Sequence, residues 1–294
     1  MTRWAILTGE YPPQPGGVSD YTQLIATELA AAGDSVRVYA PPLPGSTPAR
    51  AGVEVVQLPD HFGPRSLLSL DRMLSARPPD RILIQYVPHA FGWKGMNLPF
   101  AAWVAARARV IAPVWMMFHE VAFPFAWRPA KYALLGGATR IMARLVAGAA
   151  ARVFVSIPFW VGILRRFCPR AKRAEWLPVP GVVGAEASPD KVAAVRRGFP
   201  PGVELVGHFG TFGGLIADVL EPAARDLLHR RPRAHLLLVG RNSDQFLRRF
   251  ADLAGRVSAT GELPPDDVAA HLRACDVLLQ PYPDGISSRR TSAM

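Results

Sequence analysis

The residues best suited to chemistry stand where apolar, strand-like runs end. His119 and Glu120 follow the run VIAPVWMMF, and His89 follows ILIQYVP. In open α/β sheets, ligands bind at the carboxyl ends of the strands. A histidine there can exchange a proton near neutral pH or hydrogen-bond a sugar hydroxyl. His119 is therefore the first candidate for a catalytic residue, and the alternative is a loop histidine bonded to the backbone.

Two glycine-rich turns are suited to binding anions. Gly16 and Gly17 lie in PPQPGGVSDYT before one predicted helix, and Gly210 and Thr211 lie in GHFGTFGG before another. Backbone N–H groups at a helix N-terminus favour a phosphate, and glycine lets the ligand approach closely. Neither turn has the Gly-x-Gly-x-x-Gly spacing of a dinucleotide site or the lysine of a Walker motif. Each turn is thus either a ligand site or a tight connection.

A third group of polar residues lies at the end of the sequence. Asp284 ends the run VLLQPYPD, and the segment GISSRRTSAM follows it. Guanidinium and hydroxyl groups gather there at a predicted helix start, on Ser287, Ser288, Arg289, Arg290, Thr291 and Ser292. Arginine together with backbone N–H groups is a good arrangement for phosphate. The alternative is a solvated loop.

The scaffold for these residues is predicted by the pattern of apolar runs. Such runs alternate with helical patterns, which is typical of parallel, doubly wound sheets. The first helix is predicted to end at Gly33 and to be capped by Ser19 or Asp20. The Pro- and Gly-rich stretch EWLPVPGVVGAEASPD is a predicted linker, after which the alternation restarts. The sequence therefore predicts an α/β protein with two doubly wound, Rossmann-like domains, residues 1–180 and 181–294.

Composition narrows the class of protein. Half of the residues are hydrophobic and 19% are charged, which is typical of a globular protein. The net charge of +11 comes mainly from arginine, and it indicates either an anionic partner or coding bias. Cys168 and Cys275 have no disulfide or metal spacing, so we expect a reducing, cytoplasmic setting. From the same reading we expect neither a signal peptide nor a membrane-spanning helix, and contact with the inner membrane surface stays open.

Several segments, taken in order, resemble the motifs of GT-B glycosyltransferases of glycosyltransferase family 4. They are YPPQPGGVSDYT, FHE, LPVPGV, LLLVGR, ATGELPPDDVAAHLRACDVLLQPYPDG and SAM, and the most specific part is Gly261 to Met294. The resemblance covers nearly the whole chain. It implies two doubly wound domains facing across a cleft, with the acceptor mainly on the first and the nucleotide sugar mainly on the second. It also implies retaining transfer to a glycan, lipid-linked or small-molecule hydroxyl, with no metal or other cofactor.

The resemblance also implies roles for individual residues. The pair Gly16–Gly17 matches the glycine loop that lies against the donor diphosphate and the reaction centre. His119 matches a histidine that contacts the donor sugar and is often assigned a catalytic part. Asp284, the second predicted catalytic residue, and Gly285 match the start of the acidic motif. Ser292 stands where the family has a glutamate that usually holds the ribose, so the second carboxylate of the motif is missing.

One departure from the family concerns the charge on the donor diphosphate. The turn with Gly210 and Thr211 is predicted to contact the donor, yet it lacks the Arg and Lys that many family members carry there. Arg289 and Arg290 are the natural replacements, and Arg241, after the strand HLLLVG, is a third. We therefore predict that these arginines, with the neighbouring hydroxyl groups, bind the diphosphate.

A second departure concerns the end of the sequence. Relative to the family, the chain stops inside the helix that follows Asp284, so the second domain is expected to be incomplete. Uncovered sheet edges and apolar faces should be destabilising. We therefore expect a fragment or truncated product with little or no transferase activity.

Two other classes of function stay open. A dinucleotide-binding oxidoreductase or epimerase needs an intact glycine fingerprint and an acidic residue about 20 positions later, and the first loop has neither in the right form. A non-catalytic membrane-surface module would use the net charge and the segment FGWKGMNLPFAAWVAARARV, which can contact anionic lipid or pack as core. The positive charge is spread widely and lacks a nucleic-acid motif, so we expect no nucleic acid partner.

Overall fold

The computed structural model describes residues 1–43, 45, 50–169, 173–181, 187–283 and 285–288. The chain divides into two compact units, Met1–Val179 and Pro180–Met294. Each unit has its own parallel sheet and its own hydrophobic clusters. The predicted α/β class with two doubly wound sheets is confirmed.

Seven parallel strands form the sheet of the first unit, in the order β3-β2-β1-β4-β5-β6-β7. The strands coincide with apolar runs because both faces of the sheet are covered by helices. Their bounds are β1 Arg3–Thr8, β2 Ser35–Ala40, β3 Val53–Gln57, β4 Arg81–Tyr86, β5 Val114–Phe118, β6 Arg152–Val155 and β7 Glu175–Trp176.

Helices cover both faces of this sheet and close its core. One face packs against a stack of rings in which the centroids of Phe91 and Phe100 are 4.2 Å apart. The other face packs against the first helix, through Tyr21 and Ala26. The helices are α1 Gly17–Ala31, α2 Pro64–Ala76, α3 Leu98–Trp103, α4 Arg109–Ile111, α5 Ala130–Ala149 and α6 Pro158–Phe167.

The seventh strand lies in the stretch that was predicted to be a linker. Glu175 and Trp176 pair with β6 in parallel. The Glu175 carboxylate is 2.9 Å from the Arg152 guanidinium, and the indole N–H of Trp176 donates to the Ser156 carbonyl at 3.3 Å. These side-chain contacts hold a two-residue strand that has no apolar run of its own.

The segment considered for lipid contact, residues 91–110, packs mainly as core. Phe91, Phe100, Ala101, Trp103 and Val104 are buried. The segment forms α3, a π-helical turn and α4, which continue one another. Three of its four aromatic side chains, Phe91, Phe100 and Trp103, are therefore unavailable to a membrane, whereas Trp93 is 50% exposed. Among the helices that the structure describes, none has the length and apolarity to cross a bilayer.

The second unit contains a smaller parallel sheet, in the order β10-β9-β8-β11. Its core is built by Val206, Leu220, Leu236, Phe246 and Phe250. The bounds are α7 Pro189–Arg197, β8 Glu204–Phe209, α8 Gly214–Arg230, β9 Ala234–Val239, α9 Ser243–Leu247, β10 Val257–Ala259, α10 Pro265–Ala274 and β11 Val277–Leu278.

Candidate functional site

His119 follows β5 directly, on the face of the first sheet that α1 covers. Its ring meets that of Tyr21 edge-on, with 5.1 Å between the centroids. Its Nε2 lies 2.8 Å from Oε1 of Gln85, near the end of β4. Its carbonyl accepts hydrogen bonds from the Ser156 hydroxyl and the Trp160 indole, both at 3.1 Å. Three neighbouring elements thus fix the ring and the backbone of the predicted catalytic residue.

Burial decides the protonation state of His119. The residue is 7% exposed, and burial lowers the pKa of its imidazole to about 3. The ring is therefore uncharged at neutral pH. It is suited to a hydrogen bond with a sugar hydroxyl rather than to pairing, as a cation, with a phosphate.

The glycine loop before α1 holds a carboxylate of the same chain. Glu10 accepts a hydrogen bond from the N–H of Ser19 at 3.2 Å and another from the N–H of Val18. A Cβ at Gly16 would stand 2.7 Å from the carboxylate oxygen, so glycine lets Glu10 reach the helix. A donor contact at Gly16 and Gly17 would share this helix end with Glu10. Glu10 is a functional candidate that the sequence pattern did not predict, although it follows the end of β1 closely, as His119 follows β5.

The predicted side-chain cap of α1 is wrong. The helix begins at Gly17 with Gly16 at the N-cap, and the Ser19 hydroxyl donates to the Gln14 carbonyl at 2.6 Å. Asp20 lies inside the first turn. Glu10 takes the capping role from outside the helix, which local spacing does not reveal.

Two further ionisable side chains lie after β4 and β5. Nδ1 of His89 is 3.9 Å from Oε2 of Glu120. Burial raises the pKa of Glu10, while the hydrogen bonds from the Ser19 and Val18 N–H groups act in the opposite direction, followed by the neighbouring His89. Three strand ends, those of β1, β4 and β5, thus each contribute an ionisable group to one edge of the sheet.

In the second unit, the turns after β8 and β9 lie against each other. The side-chain amide of Asn242 donates to the Thr211 carbonyl at 3.2 Å. Gly240 has φ +116°, and a Cβ there would collide with the Gly210 carbonyl oxygen. The structure thus brings the predicted residues Gly210 and Thr211 against the segment that carries Arg241.

His208, near the end of β8, was missed by sequence analysis. It is 1% exposed, and its Nδ1 donates to the Leu279 carbonyl at 2.8 Å. Its Nε2 has no hydrogen-bond partner among the described residues. A Cβ at Gly210 would stand 3.1 Å from that nitrogen, so the ring lies against the turn. Burial lowers the pKa of His208. The sequence signal that could have identified His208 is its position near the end of an apolar, strand-like run.

Arg241 is paired within its own unit. Its guanidinium donates to the two carboxylate oxygens of Glu262 at 3.1 and 2.5 Å. This contact lowers the pKa of Glu262. A diphosphate at this edge would compete with Glu262 for the guanidinium.

The predicted acidic motif is only partly described. The side-chain nitrogen of Gln280 donates to the Phe209 carbonyl at 3.3 Å, so the chain after β11 lies beside the end of β8. The N–H of Gly285 donates to the Tyr282 carbonyl at 3.0 Å, and Ser288 is half-buried. Four predicted site residues lie outside the described residues, namely Asp284, Arg289, Arg290 and Ser292.

Comparison with known proteins places this geometry in a family. The model of the glycosyl transferase 4-like domain matches residues 16–180, which include the glycine loop and His119. The chain is similar to the GDP-mannose-dependent α-(1-6)-phosphatidylinositol monomannoside mannosyltransferase of Mycobacterium tuberculosis. The two are 25% identical over 300 residues, which cover 96% of this chain and 73% of the relative.

Two solved structures show the same fold. Sucrose-phosphate synthase from Thermosynechococcus elongatus matches with a TM-score of 0.68 at 17% identity, over 96% of this chain and 76% of that chain. HepE from Anabaena in complex with UDP-glucose matches with a TM-score of 0.63 at 15% identity, over 96% of this chain and 74% of the HepE chain. Because the matched domain covers more than half of the sequence, the protein belongs to the glycosyl transferase 4-like family and is a glycosyltransferase of the GT-B type.

Proposed function

We propose that this glycosyltransferase moves a hexose from a nucleoside diphosphate sugar to a hydroxyl group of a glycan, lipid-linked or small-molecule acceptor. We further propose retention of the anomeric configuration and no requirement for a metal, as the resemblance implies. The observation that carries the proposal is His119, a buried, uncharged histidine at a strand end inside the matched domain. The name of the mycobacterial relative includes GDP-mannose, whereas the HepE structure is a complex with UDP-glucose.

The start of α8 supports a contact with the donor diphosphate. Gly213 is the N-cap of this 17-residue helix and makes no side-chain capping bond. The N–H groups of Ile216 and Ala217 bond to the Gly213 carbonyl at 2.9 Å, and the N–H groups before them point out of the helix end. Such N–H groups, with the helix dipole, favour an anion.

The proposed chemistry relies on positioning and electrostatics. The bond between the anomeric carbon and the diphosphate oxygen breaks, the acceptor oxygen bonds to that carbon, and its proton passes to the leaving phosphate or to solvent. Negative charge develops on the diphosphate, where fixed N–H groups lower the barrier. An uncharged His119 holds a sugar hydroxyl and adds no charge of its own.

Calorimetric titration with GDP, UDP, GDP-mannose and UDP-glucose tests the proposal. We expect at least one donor to bind, and His119→Ala to lower turnover more than donor affinity, with the exposed His229→Ala as control. Arg289→Ala and Arg290→Ala should each weaken binding by about 1–3 kcal/mol for a charged hydrogen bond removed. Absence of binding by all four compounds at millimolar concentration would refute the proposal. If turnover is unchanged in His119→Ala, His119 has a structural role and not a catalytic one.

An exposed aromatic and basic surface supports an acceptor at a membrane. We define the aromatic patch as the exposed side chains, within the segment 125–134, of Phe125, Trp127, Lys131, Tyr132 and Leu134. Trp127 is 80% exposed and Leu134 is 65% exposed. The Phe125 and Trp127 rings are 4.9 Å apart, and Nζ of Lys131 is 5.1 Å from the Tyr132 ring. Aromatic and cationic side chains together favour the interface of an anionic bilayer. We propose peripheral contact through this patch.

Sedimentation with vesicles of phosphatidylglycerol and phosphatidylcholine tests the membrane contact. We expect Trp127→Ala and Leu134→Ala to reduce the bound fraction, because both remove exposed apolar surface. Leu68→Ala, at a residue of α2 that is 54% exposed, is the matched control. Equal binding by all three variants would show that the patch is not the contact surface.

A further inference from the structure

Among the residues that the structure describes, Gln85 is the only one whose side chain is shown hydrogen-bonding to the imidazole ring of His119. It lies in β4 between Thr8 of β1 and Met117 of β5 and is fully buried. Its Oε1 is 2.8 Å from Nε2 of His119. An amide oxygen can only accept a hydrogen bond, so His119 Nε2 carries the hydrogen. In an uncharged imidazole, Nδ1 then keeps a lone pair.

The amide of Gln85 leaves one polar group unsatisfied. Its Nε2 has no hydrogen-bond partner among the described residues. An unsatisfied buried donor destabilises the fold, and an apolar side chain of similar volume would fill the same space without that cost. A role limited to packing therefore does not account for glutamine here. The hydrogen bond between Gln85 and the His119 ring does account for it.

The groups around His119 leave Gln85 as the one that selects the tautomer. Tyr21 of α1 touches the ring through its edge, and burial raises the pKa of that phenol to about 12, so it is uncharged. Ser156 and Trp160 bond to the His119 carbonyl and not to the ring. The neighbouring Glu120 faces His89, while burial alone accounts for the lowered pKa of His119.

We propose that Gln85 is a positioning residue that holds His119 as the uncharged tautomer with hydrogen on Nε2, so that Nδ1 accepts a hydrogen bond from a hydroxyl of the bound sugar. The sugar contact rests on the proposed function. The tautomer does not, because it is a property of the protein without substrate. Gln85 acts through His119 and has no assigned contact with the reacting atoms.

Nitrogen NMR of the full chain with labelled histidine tests the tautomer directly. For the wild type we expect a protonated Nε2 and an unprotonated Nδ1 at His119, unchanged between about pH 5.5 and 8. Gln85→Glu should make the ring titrate at higher pH, because a carboxylate at Nε2 favours the imidazolium. Gln85→Met should lose the preference for Nε2. Hydrogen on Nδ1 in the wild type, or the same tautomer in Gln85→Met, would overturn the proposal.

Kinetics with whichever donor the titrations identify provide the second readout. We expect Gln85→Met to lower kcat about tenfold, the equivalent of one weak hydrogen bond, with donor affinity little changed. Turnover of Gln85→Glu should rise with pH as Nδ1 loses its proton, while wild-type turnover stays flat. Leu83→Met, two residues earlier in the same strand and buried, is the matched control. If Gln85→Met does not fold, the proposal is still tested by the wild-type tautomer from NMR and by the pH dependence of turnover in Gln85→Glu. If NMR shows the hydrogen on Nε2 of His119 but no donor binds, the proposed function is rejected and the role of Gln85 in setting the tautomer is retained.

Discussion

His119 is buried without a charge, and this gives the protein a definite pH dependence. In the unfolded chain its imidazole takes up a proton near pH 6.5, whereas burial lowers its pKa in the folded state to about 3. Between these values the unfolded state binds more protons, so falling pH favours unfolding through this group. The stability contributed by the uncharged form is present above pH 6.5 and is lost progressively below it.

The variant His119→Gln removes this titration. We expect the wild type to lose more stability than His119→Gln as the pH falls from 6.5 towards 3, with no change in their difference above 6.5. Urea unfolding at several pH values measures that difference, and comparison of two nearly identical chains cancels the other titrating groups. A difference that is constant with pH would show that His119 is not buried in its uncharged form.

At the scale of elements, the N-terminus of α1 depends on a side chain from outside the helix. The Glu10 carboxylate accepts hydrogen bonds from the N–H groups of Val18 and Ser19. We expect Glu10→Ala to lower the free energy of unfolding by about 0.5–2 kcal/mol, as for the loss of an N-cap, and Glu10→Gln to lower it less. Chemical denaturation followed by tryptophan fluorescence measures both, with Asp20→Ala as control. Equal losses in Glu10→Ala and Asp20→Ala would argue against this capping role.

At the scale of the whole molecule, all seven tryptophans lie in the first unit, between Trp4 and Trp176. Tryptophan fluorescence therefore reports unfolding of the first unit, whereas circular dichroism reports both. Each unit has its own sheet and hydrophobic clusters, which favours separate unfolding.

A single glycine substitution separates the two signals. Gly240→Ala should destabilise the second unit, because φ there is +116° and the new Cβ collides with the Gly210 carbonyl. We expect the dichroism transition to move to lower temperature while the fluorescence transition stays in place. Gly213→Ala, where a Cβ meets no atom within 4 Å, is the control. Equal shifts in both signals would show that the units unfold together.

Much of the fold follows from local sequence patterns. Strands that are covered on both faces read as apolar runs, so β1, β2, β4, β5, β8 and β9 are apparent without a structure. The end of a run also marks the ligand edge, and this rule selects His119. The strand β7 escapes the rule because Glu175 and Trp176 are held by side-chain contacts with β6 and the residue after it.

By itself, the sequence determined the alternation of strands and helices, the place of His119 at a strand end, and the resemblance to GT-B enzymes. These features are local or depend on the order of motifs. Only the tertiary structure decided that Gln85 meets His119 across 34 residues, that Glu10 caps α1, and that residues 91–110 pack as core. The physical reason is that such contacts depend on the register of parallel strands and on which face each helix covers, and neither can be read from spacing along the chain.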